Sequence, residues 1–207
     1  MKNLFWIVIL LMNPFFALSQ STDSVYRKLE DALKAPNKVK TLDLSNQNFP
    51  EFPKAMDKFP NLEVLILQND HIRIIPKDIA KLKNLKVLDL SGNEFVELPA
   101  EFVELQNLEE LFLNNDKAFN LEKGVEIFNQ LPNLHRLHLE NNNIEMLPMS
   151  MYNMMQLEQL YINNNALRAL PPDVKKMENL NFIKISENKH DLNQDKSIHD
   201  WGIKIEF

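Results

Sequence analysis

The sequence contains no cysteine, and its 207 residues include only three glycines. No disulfide can close the domain, and no thiolate can act as a nucleophile or a metal ligand. The chain also has no glycine-rich loop to cradle a phosphate group and no paired-histidine zinc motif. The domain must therefore be held together by packing, and we predict no catalytic residue, no metal site and no cofactor.

Positive charge is also in short supply. Lysine and arginine number 23 against 29 aspartates and glutamates, which gives a formal net charge of −6 at pH 7. A chain of this charge repels phosphate backbones, so nucleic acid is not an expected partner. Hydrophobic residues make up 44% of the chain and charged residues 25%, which is the composition of an ordinary globular domain.

Long apolar runs are absent except at the N-terminus. Lys2 precedes an apolar stretch over residues 4–18, and Ala17 and Ser19 supply the small residues of a cleavage site. The pattern predicts a signal peptide over residues 1–19 and an exported protein, periplasmic or extracellular, with no membrane span after leader cleavage. A retained anchor is the alternative, but this stretch is interrupted by a proline and is shorter than the roughly 20 residues that a span requires.

The rest of the chain repeats the pattern of residues 85–99, LKVLDLSGNEFVELP. Leu85, Leu88 and Leu90 stand at positions 1, 4 and 6 of the repeat, and the alternation around Leu88 is that of a short strand with one buried face. The steps between repeats are 23 residues, except for one of 26, and a fixed period of this length indicates a solenoid. The repeats begin at Val39, Leu62, Leu85, Leu108, Leu134, Leu157 and Leu180.

The repeat resembles the leucine-rich-repeat family, whose pattern is LxxLxLxxNxL. Residues 85–95, 134–144 and 157–167 match it in full if Ile or Phe is accepted for Leu, and the resemblance covers residues 39–190. It implies an α/β solenoid, a curved horseshoe with a parallel β-sheet on its concave face. It also implies an asparagine ladder at position 9, where each side chain satisfies backbone groups in the turns between repeats.

Two departures from the pattern concern position 9 and the length of one repeat. Position 9 carries aspartate at Asp70 and Asp116, and an ionised carboxylate cannot donate as an amide does, so we predict weaker joints there, each costing about 1 to 3 kcal/mol. The 26-residue repeat replaces the Leu-Pro return with residues 118–133. We predict a short helix over residues 122–130 on the convex side, with Gly124 as a flexible point, and interpret the insertion as structural, with a partner site as the alternative.

Caps are expected at both ends of the solenoid, because an open end exposes hydrophobic side chains. Residues 22–35 have helical spacing and predict an N-terminal capping helix within residues 20–38. The last residues, 191–207, form the predicted C-terminal cap. Within them Ile203, Ile205 and Phe207 alternate with polar residues, which predicts a strand that closes the core together with Trp201.

Positions 3 and 5 of each repeat predict the surface of the concave face. Aromatic and arginine side chains gather there in the fourth to sixth repeats, and this composition is typical of an interaction hot spot. The alternative is that the aromatic side chains only stabilise the sheet by cross-strand pairing. The candidate protein-binding residues are Phe112, His138, Tyr161, Arg136, Glu110, Gln159, Val64 and Ile66.

Two groups of potential metal ligands have a simpler interpretation. His135 and His138 are three residues apart on a strand and so face opposite sides, and the cluster of four methionines around Met151 and Met154 is better explained by packing.

From the leader, the repeats and the concave face together, we predict a non-enzymatic, exported module that recognises a protein or peptide on its concave face. The alternatives are a passive structural or self-associating envelope component and, third, an inhibitor or accessory subunit of an exported enzyme.

Overall fold

The computed structural model describes residues 24–189 and 202–207, so the leader and Trp201 lie outside the described residues. Within these two ranges the chain forms one sheet of nine parallel strands, in which each strand pairs with the next one in sequence. This order confirms the predicted horseshoe solenoid. The strands are β1 Val25–Tyr26, β2 Thr41–Asp43, β3 Val64–Ile66, β4 Val87–Asp89, β5 Glu110–Phe112, β6 Arg136–His138, β7 Gln159–Tyr161, β8 Phe182–Lys184 and β9 Lys204–Glu206.

The repeat register explains the core. In the third repeat Leu85, Leu88 and Leu90 are all fully buried, and the same three positions are buried in the other repeats. The central residues of neighbouring strands are Cα partners, as Leu88 and Leu111 are, so large aliphatic side chains stack on one another along the sheet. A repeat thus buries its apolar side chains against its neighbours rather than within itself, and a single repeat should not fold alone.

The turn after each strand requires a left-handed backbone at position 8. The φ angles there lie between 55° and 70° in all seven repeats, and asparagine and glycine are the residues that tolerate this conformation. At Gly92 a Cβ atom would also lie 2.0 Å from the side-chain Oδ1 of Asn69, so a larger residue would have to displace that exposed side chain. These residues are Asn46, Asn69, Gly92, Asn115, Asn141, Asn164 and Glu187.

The return segments on the convex side are short 3-10 helices. Most begin directly after the proline of the Leu-Pro pair, as the fixed φ and missing N–H of proline favour. The first repeat differs, because Ala55 has a left-handed φ of 72° and delays its helix to Met56–Lys58. The return helices of the other repeats are Lys77–Lys81, Ala100–Glu104, Met149–Asn153 and Pro172–Lys176.

The N-terminal cap is less helical than predicted. Val25 and Tyr26 form β1 and pair with Thr41 and Leu42 of β2, so the sheet begins before the first repeat. Only α1, Leu29–Ala32, is α-helical, and a 3-10 turn at Pro36–Lys38 follows it. The prediction of a single helix over residues 22–35 is therefore wrong for its start, because extending the sheet satisfies the edge backbone of β2.

The C-terminal strand is confirmed within the described residues. β9 pairs in parallel with β8, and Ile205 is the Cα partner of Ile183. Ile203 and Ile205 are partly buried and pack against the core, so β9 continues the aliphatic stack as an additional strand.

The 26-residue repeat forms the longest helix of the described chain, α2, Leu121–Phe128. Asn120 caps its start, because its side-chain oxygen accepts a hydrogen bond from the backbone N–H of Lys123 at 3.2 Å. The Nδ2 of Asn129 then donates to the carbonyl of Ser150 at 3.1 Å in the next return segment. The predicted convex-side helix is confirmed, and it replaces a 3-10 turn in an otherwise regular stack.

Gly124 in α2 is required by packing and is not a point of flexibility. It is buried, and a Cβ atom there would lie 2.4 Å from Cζ of Phe119. We expect Gly124→Ala to lower the free energy of unfolding by about 1 to 3 kcal/mol through overpacking, although alanine favours a helix by about 1 kcal/mol. Urea unfolding measures the change.

Glu122→Ala is the matched control for this substitution, because Glu122 is exposed on the same helix. We expect it to change stability by no more than about 0.5 kcal/mol. A Gly124→Ala domain that is more stable than wild type would show that Phe119 moves aside and that the glycine is not a packing requirement.

Candidate protein-binding face

The predicted binding residues lie together on one face of the sheet. Strand pairing places Glu110, Arg136 and Gln159 in one row, since they are successive Cα partners. Phe112, His138 and Tyr161 form a second, parallel row. The two rows belong to positions 3 and 5, so the adjacency predicted from the repeat is confirmed.

The central residues of this face are more buried than predicted. Phe112 is 7% exposed, His138 6% and Glu110 only 2%, so none of the three faces solvent as the pattern of positions 3 and 5 suggested. Val64 is also buried, in a small second apolar cluster with Val87 and Phe112 against which Ile66 packs. These side chains are buried because those on adjacent strands pack against one another and exclude water.

Aromatic stacking accounts for most of this burial. The ring of His138 lies 3.9 Å from that of Phe112 and 4.2 Å from that of Tyr161, with interplanar angles of 17° and 7°. Tyr161 in turn lies 5.3 Å from the tilted ring of Phe182. We call these four rings the aromatic ladder. Their spacing follows that of the strands, so cross-strand pairing, the alternative interpretation of these aromatic residues, accounts for part of their role.

Carboxylates flank His138 on both sides of its ring. Nε2 lies 3.0 Å from Oε1 of Glu110, and Nδ1 lies 3.6 Å from Oε1 of Glu140. The second oxygen of Glu110 pairs with Nε of Arg136 at 3.1 Å. Burial by itself lowers the pKa of His138, but the hydrogen bonds and charges of Glu110 and Glu140 outweigh burial, so the pKa lies above its ordinary value.

The accessible part of this face lies beside the aromatic ladder and towards β9. Arg136, Gln159 and Tyr161 are half-buried, and the hydroxyl of Tyr161 donates to Oε1 of Gln159 at 2.9 Å. Phe182 is half-buried as well, and Nζ of the exposed Lys204 lies 5.4 Å from the centre of its ring. The sequence did not single out these last two residues as a pair, although Lys204 follows Phe182 by 22 residues, close to the repeat length.

The asparagine ladder at position 9 is formed beneath the turns. The Oδ1 of Asn93 accepts from the backbone N–H groups of Asp70 at 3.2 Å and Ile72 at 3.0 Å. Its Nδ2 donates to the carbonyls of Leu67 at 2.8 Å and Leu90 at 2.6 Å. Each asparagine of this kind joins two repeats through both ends of its amide.

Aspartate at position 9 cannot replace the hydrogen bonds that the asparagine Nδ2 donates. The Oδ1 of Asp116 accepts from the backbone N–H of Asn93 at 2.7 Å, but its buried Oδ2 has no hydrogen-bond partner in the described part of the chain. Asp70 has the same defect at its Oδ2 within those residues. Burial raises the pKa of Asp70, and it raises the pKa of Asp116 to about 8. Both aspartates therefore leave a buried group without a partner, but that group is their own Oδ2, because the carbonyls of Leu67 and Leu90 accept from Asn93.

Comparisons with known proteins agree with this architecture. The Leucine rich repeat family profile matches residues 60–117. The solved structure of a leucine-rich-repeat protein of Leptospira interrogans has a TM-score of 0.64 and 28% identity to this chain, covering 80% of this chain and 47% of that one. The chain has the leucine-rich-repeat fold. A search of curated proteins gives no match.

A second solved structure has a similar fold at lower sequence identity. TLR13 in its complex with ssRNA13 has a TM-score of 0.68 and 23% identity, and the alignment covers 88% of this chain and 29% of that one. At this identity the likeness concerns the fold alone. This leucine-rich-repeat chain therefore spans less than half the length of either structure that it resembles.

The leucine-rich-repeat face does not gather metal ligands. Within residues 24–189 and 202–207, no three histidine, cysteine, aspartate or glutamate side chains come together as a metal site. The core methionines Met151 and Met154 are fully buried, as predicted, whereas Met149 and Met155 are exposed. In the same described ranges no helix is long and apolar enough to cross a membrane.

A groove between the first two return segments is a feature that sequence analysis missed. Its volume is about 700 Å³, and Phe52, Met56 and the exposed Ile74 contribute apolar side chains to it. The left-handed turn at Ala55 lies in its lining, where the first return helix starts late. The sequence signal was weak, because alanine at a left-handed position gives no warning of this turn.

Proposed function

We propose that this chain is an exported, non-enzymatic module that binds a protein or peptide through its concave face. Leucine-rich repeats commonly serve as protein-binding modules. The observation that carries the proposal is the strip of half-exposed aromatic, arginine and amide side chains beside the aromatic ladder, formed by Arg136, Gln159, Tyr161 and Phe182. Such side chains, set on rigid strands, supply large contact area with directional hydrogen bonds.

The burial pattern narrows the contact surface within this proposal. The ring faces of His138 are covered by its neighbours, so a partner meets the edges of the ladder and the polar groups beside it. The buried Phe112 and Glu110 lie at the side of this surface and hold His138 and Arg136 in place, while Arg136 and Tyr161 make contact with the partner. A protein partner suits this mixture of apolar and polar groups, and the net charge of −6 argues against a nucleic-acid partner.

The proposal includes export, because the N-terminal residues have the pattern of a leader peptide. Residues 1–19 lie outside the described residues, and their composition is that of a leader peptide. We propose that the mature chain begins at Gln20. Intact-mass measurement of the protein secreted by its natural host would test this, and a mass that includes residues 1–19 would contradict export by a cleaved leader.

The concave-face proposal is tested by capture of partners with two double variants. We expect Tyr161→Ser/Phe182→Ser to weaken partner binding by at least about thirtyfold, since a hot-spot aromatic residue contributes about 2 kcal/mol or more. Met146→Ser/Met149→Ser is the matched control, because these two side chains are apolar and strongly exposed but lie outside the sheet. Circular dichroism and thermal unfolding establish that all variants are folded.

Two outcomes would contradict the proposal. Unchanged affinity of a folded Tyr161→Ser/Phe182→Ser domain would exclude the strip as the binding surface. Loss of binding in the methionine variant alone would move the contact to the return segments. Self-association of the purified domain with no other partner would instead favour the structural envelope component.

A further inference from the structure

The hydrogen bonds that His138 makes to its neighbours depend on whether its ring is protonated. Both ring nitrogens face carboxylates, Glu110 through Nε2 and Glu140 through Nδ1. An imidazolium donates from both nitrogens, whereas a neutral imidazole donates from one and presents a lone pair at the other. Phe112 and Tyr161 cover the ring faces, so the ring cannot easily turn towards water to satisfy a different partner.

Loss of the proton affects the two carboxylates unequally. Glu110 is buried, has the shorter contact with the ring at 3.0 Å and is held by Arg136 through its second oxygen. Glu140 has the longer contact of 3.6 Å, and its Oε2 is without a hydrogen-bond partner among the described residues. A neutral ring therefore keeps its N–H on Glu110 and turns a lone pair towards the carboxylate of Glu140, which repels it.

We propose that the proton on His138 controls the position of Glu140, so that the concave face withholds this carboxylate when the ring is charged and presents it when the ring is neutral. The inference rests on the proposed function, since it concerns regulation of the same face. The change in charge is one full unit. The group formed by Arg136, His138, Glu110 and Glu140 is neutral with the proton and carries −1 without it.

Other charged and titratable groups lie around the ring, whose pKa is raised by Glu110 and Glu140 against the effect of burial. Asp89 on β4 acts on His138 through its charge, and Arg136 on the same strand as His138 neutralises Glu110. Tyr161 on β7 lies against the ring, and the Lys184 and Glu206 side chains of β8 and β9 pair with each other at 2.8 Å. The folded pKa lies above 6.5, so this stabilisation is complete below pH 6.5 and is lost as the pH rises through the folded value.

Nuclear magnetic resonance of the whole domain tests the coupling directly. The imidazole of His138 and the backbone amide of Glu140 are followed from about pH 5 to about pH 10, on both sides of the ordinary histidine pKa. We expect His138 to titrate above pH 6.5 and the Glu140 amide to shift with the same midpoint. In Glu140→Gln the His138 midpoint should move to lower pH, because one of the two carboxylates that raise its pKa is gone.

Two results of this titration would contradict the inference. A His138 midpoint at or below 6.5, or a Glu140 amide that does not respond when His138 titrates, would overturn the inference. The wild-type measurement alone decides this if the variant fails to fold.

A binding measurement connects the proton to function. The partner obtained by capture is titrated with wild type and with Glu140→Gln at a pH below and a pH above the His138 midpoint. We expect affinity to change with pH in wild type and to change much less in the variant. Equal pH dependence in both would refute regulation through Glu140, whereas failure to capture any partner would overturn the proposed function and leave the titration to decide the movement of Glu140.

Discussion

Replacing Asp116 by asparagine should stabilise this protein and flatten the dependence of its stability on pH. The carboxyl of Asp116 has a folded pKa of about 8 against an ordinary value of 3.8, so between these values the folded protein holds a proton that the unfolded chain releases. Stability therefore falls as the pH rises from 3.8 towards 8. An amide does not titrate in this range and supplies the donor that the ladder lacks.

The expected gain follows from the buried Oδ2 atom. In the neighbouring repeat the matching amide nitrogen of Asn93 donates to Leu67 and Leu90, so the amide introduced by Asp116→Asn would occupy an equivalent place between Leu90 and Leu113. An unmet buried group costs about 1 to 3 kcal/mol, and we expect Asp116→Asn to recover that amount above pH 8. Urea unfolding at several pH values measures it.

The reverse exchange is the matched control. Asn93→Asp removes the two donor bonds to Leu67 and Leu90, so it should lower stability and steepen its fall with rising pH. His138, Asp70 and Asp89, whose folded pKa values are also raised, would account for a slope that remains in Asp116→Asn. Identical unfolding curves for wild type and Asp116→Asn at high pH would mean that Asp116 is already satisfied in solution.

The features that could be predicted from the sequence are those set by the repeat itself. Leu85, Leu88 and Leu90 recur at a fixed period, and a fixed period gives strand order, register and core in one step. The unmet groups at Asp70 and Asp116 were predictable for the same reason, because position 9 needs both a donor and an acceptor in every repeat. At each of these positions the repeat places the same type of side chain in the same surroundings, so the position in the repeat is enough to predict its contacts.

The burial of Phe112 and His138 could not be predicted in this way. Alternation along a strand tells which face a side chain is on, but exposure on that face depends on the side chains of two neighbouring strands. His138 is covered because Phe112 and Tyr161 both lie flat against it, with carboxylates at its edges. Each residue alone looked solvent-facing, and only the combination of three repeats removes water from the row.

The N-terminal cap and the groove depended on short-range details that carry little sequence signal. Val25 and Tyr26 form a strand of two residues, which is too short to show a period and whose spacing also suits a helix. Ala55 adopts a left-handed backbone, which alanine rarely takes. Nothing in the sequence therefore indicated that the first return helix starts late or that a groove lies beside it.

Deleting residues 202–207 should destabilise the domain by about 3 kcal/mol, because two partly buried aliphatic side chains lie at the lower end of the roughly 1.5 to 3 kcal/mol that each contributes when fully buried. The deletion removes Ile203 and Ile205, which pack against the core, and uncovers Ile183 and Ile185 at the end of the aliphatic stack. It also removes the hydrogen bond from the Ile185 backbone N–H to the Glu206 carbonyl at 2.8 Å. Thermal and urea unfolding measure the loss.

The control keeps β9 and changes only its polar side chains. Lys204→Ser/Glu206→Ser leaves Ile203 and Ile205 in place and removes a pair between Lys184 and Glu206, so it should cost no more than about 1 kcal/mol. The decisive comparison is between the deletion and this variant. If the two unfold at the same midpoint with the same denaturant dependence, β9 does not close the core, because a strand that buries two isoleucines cannot be removed as cheaply as two surface charges.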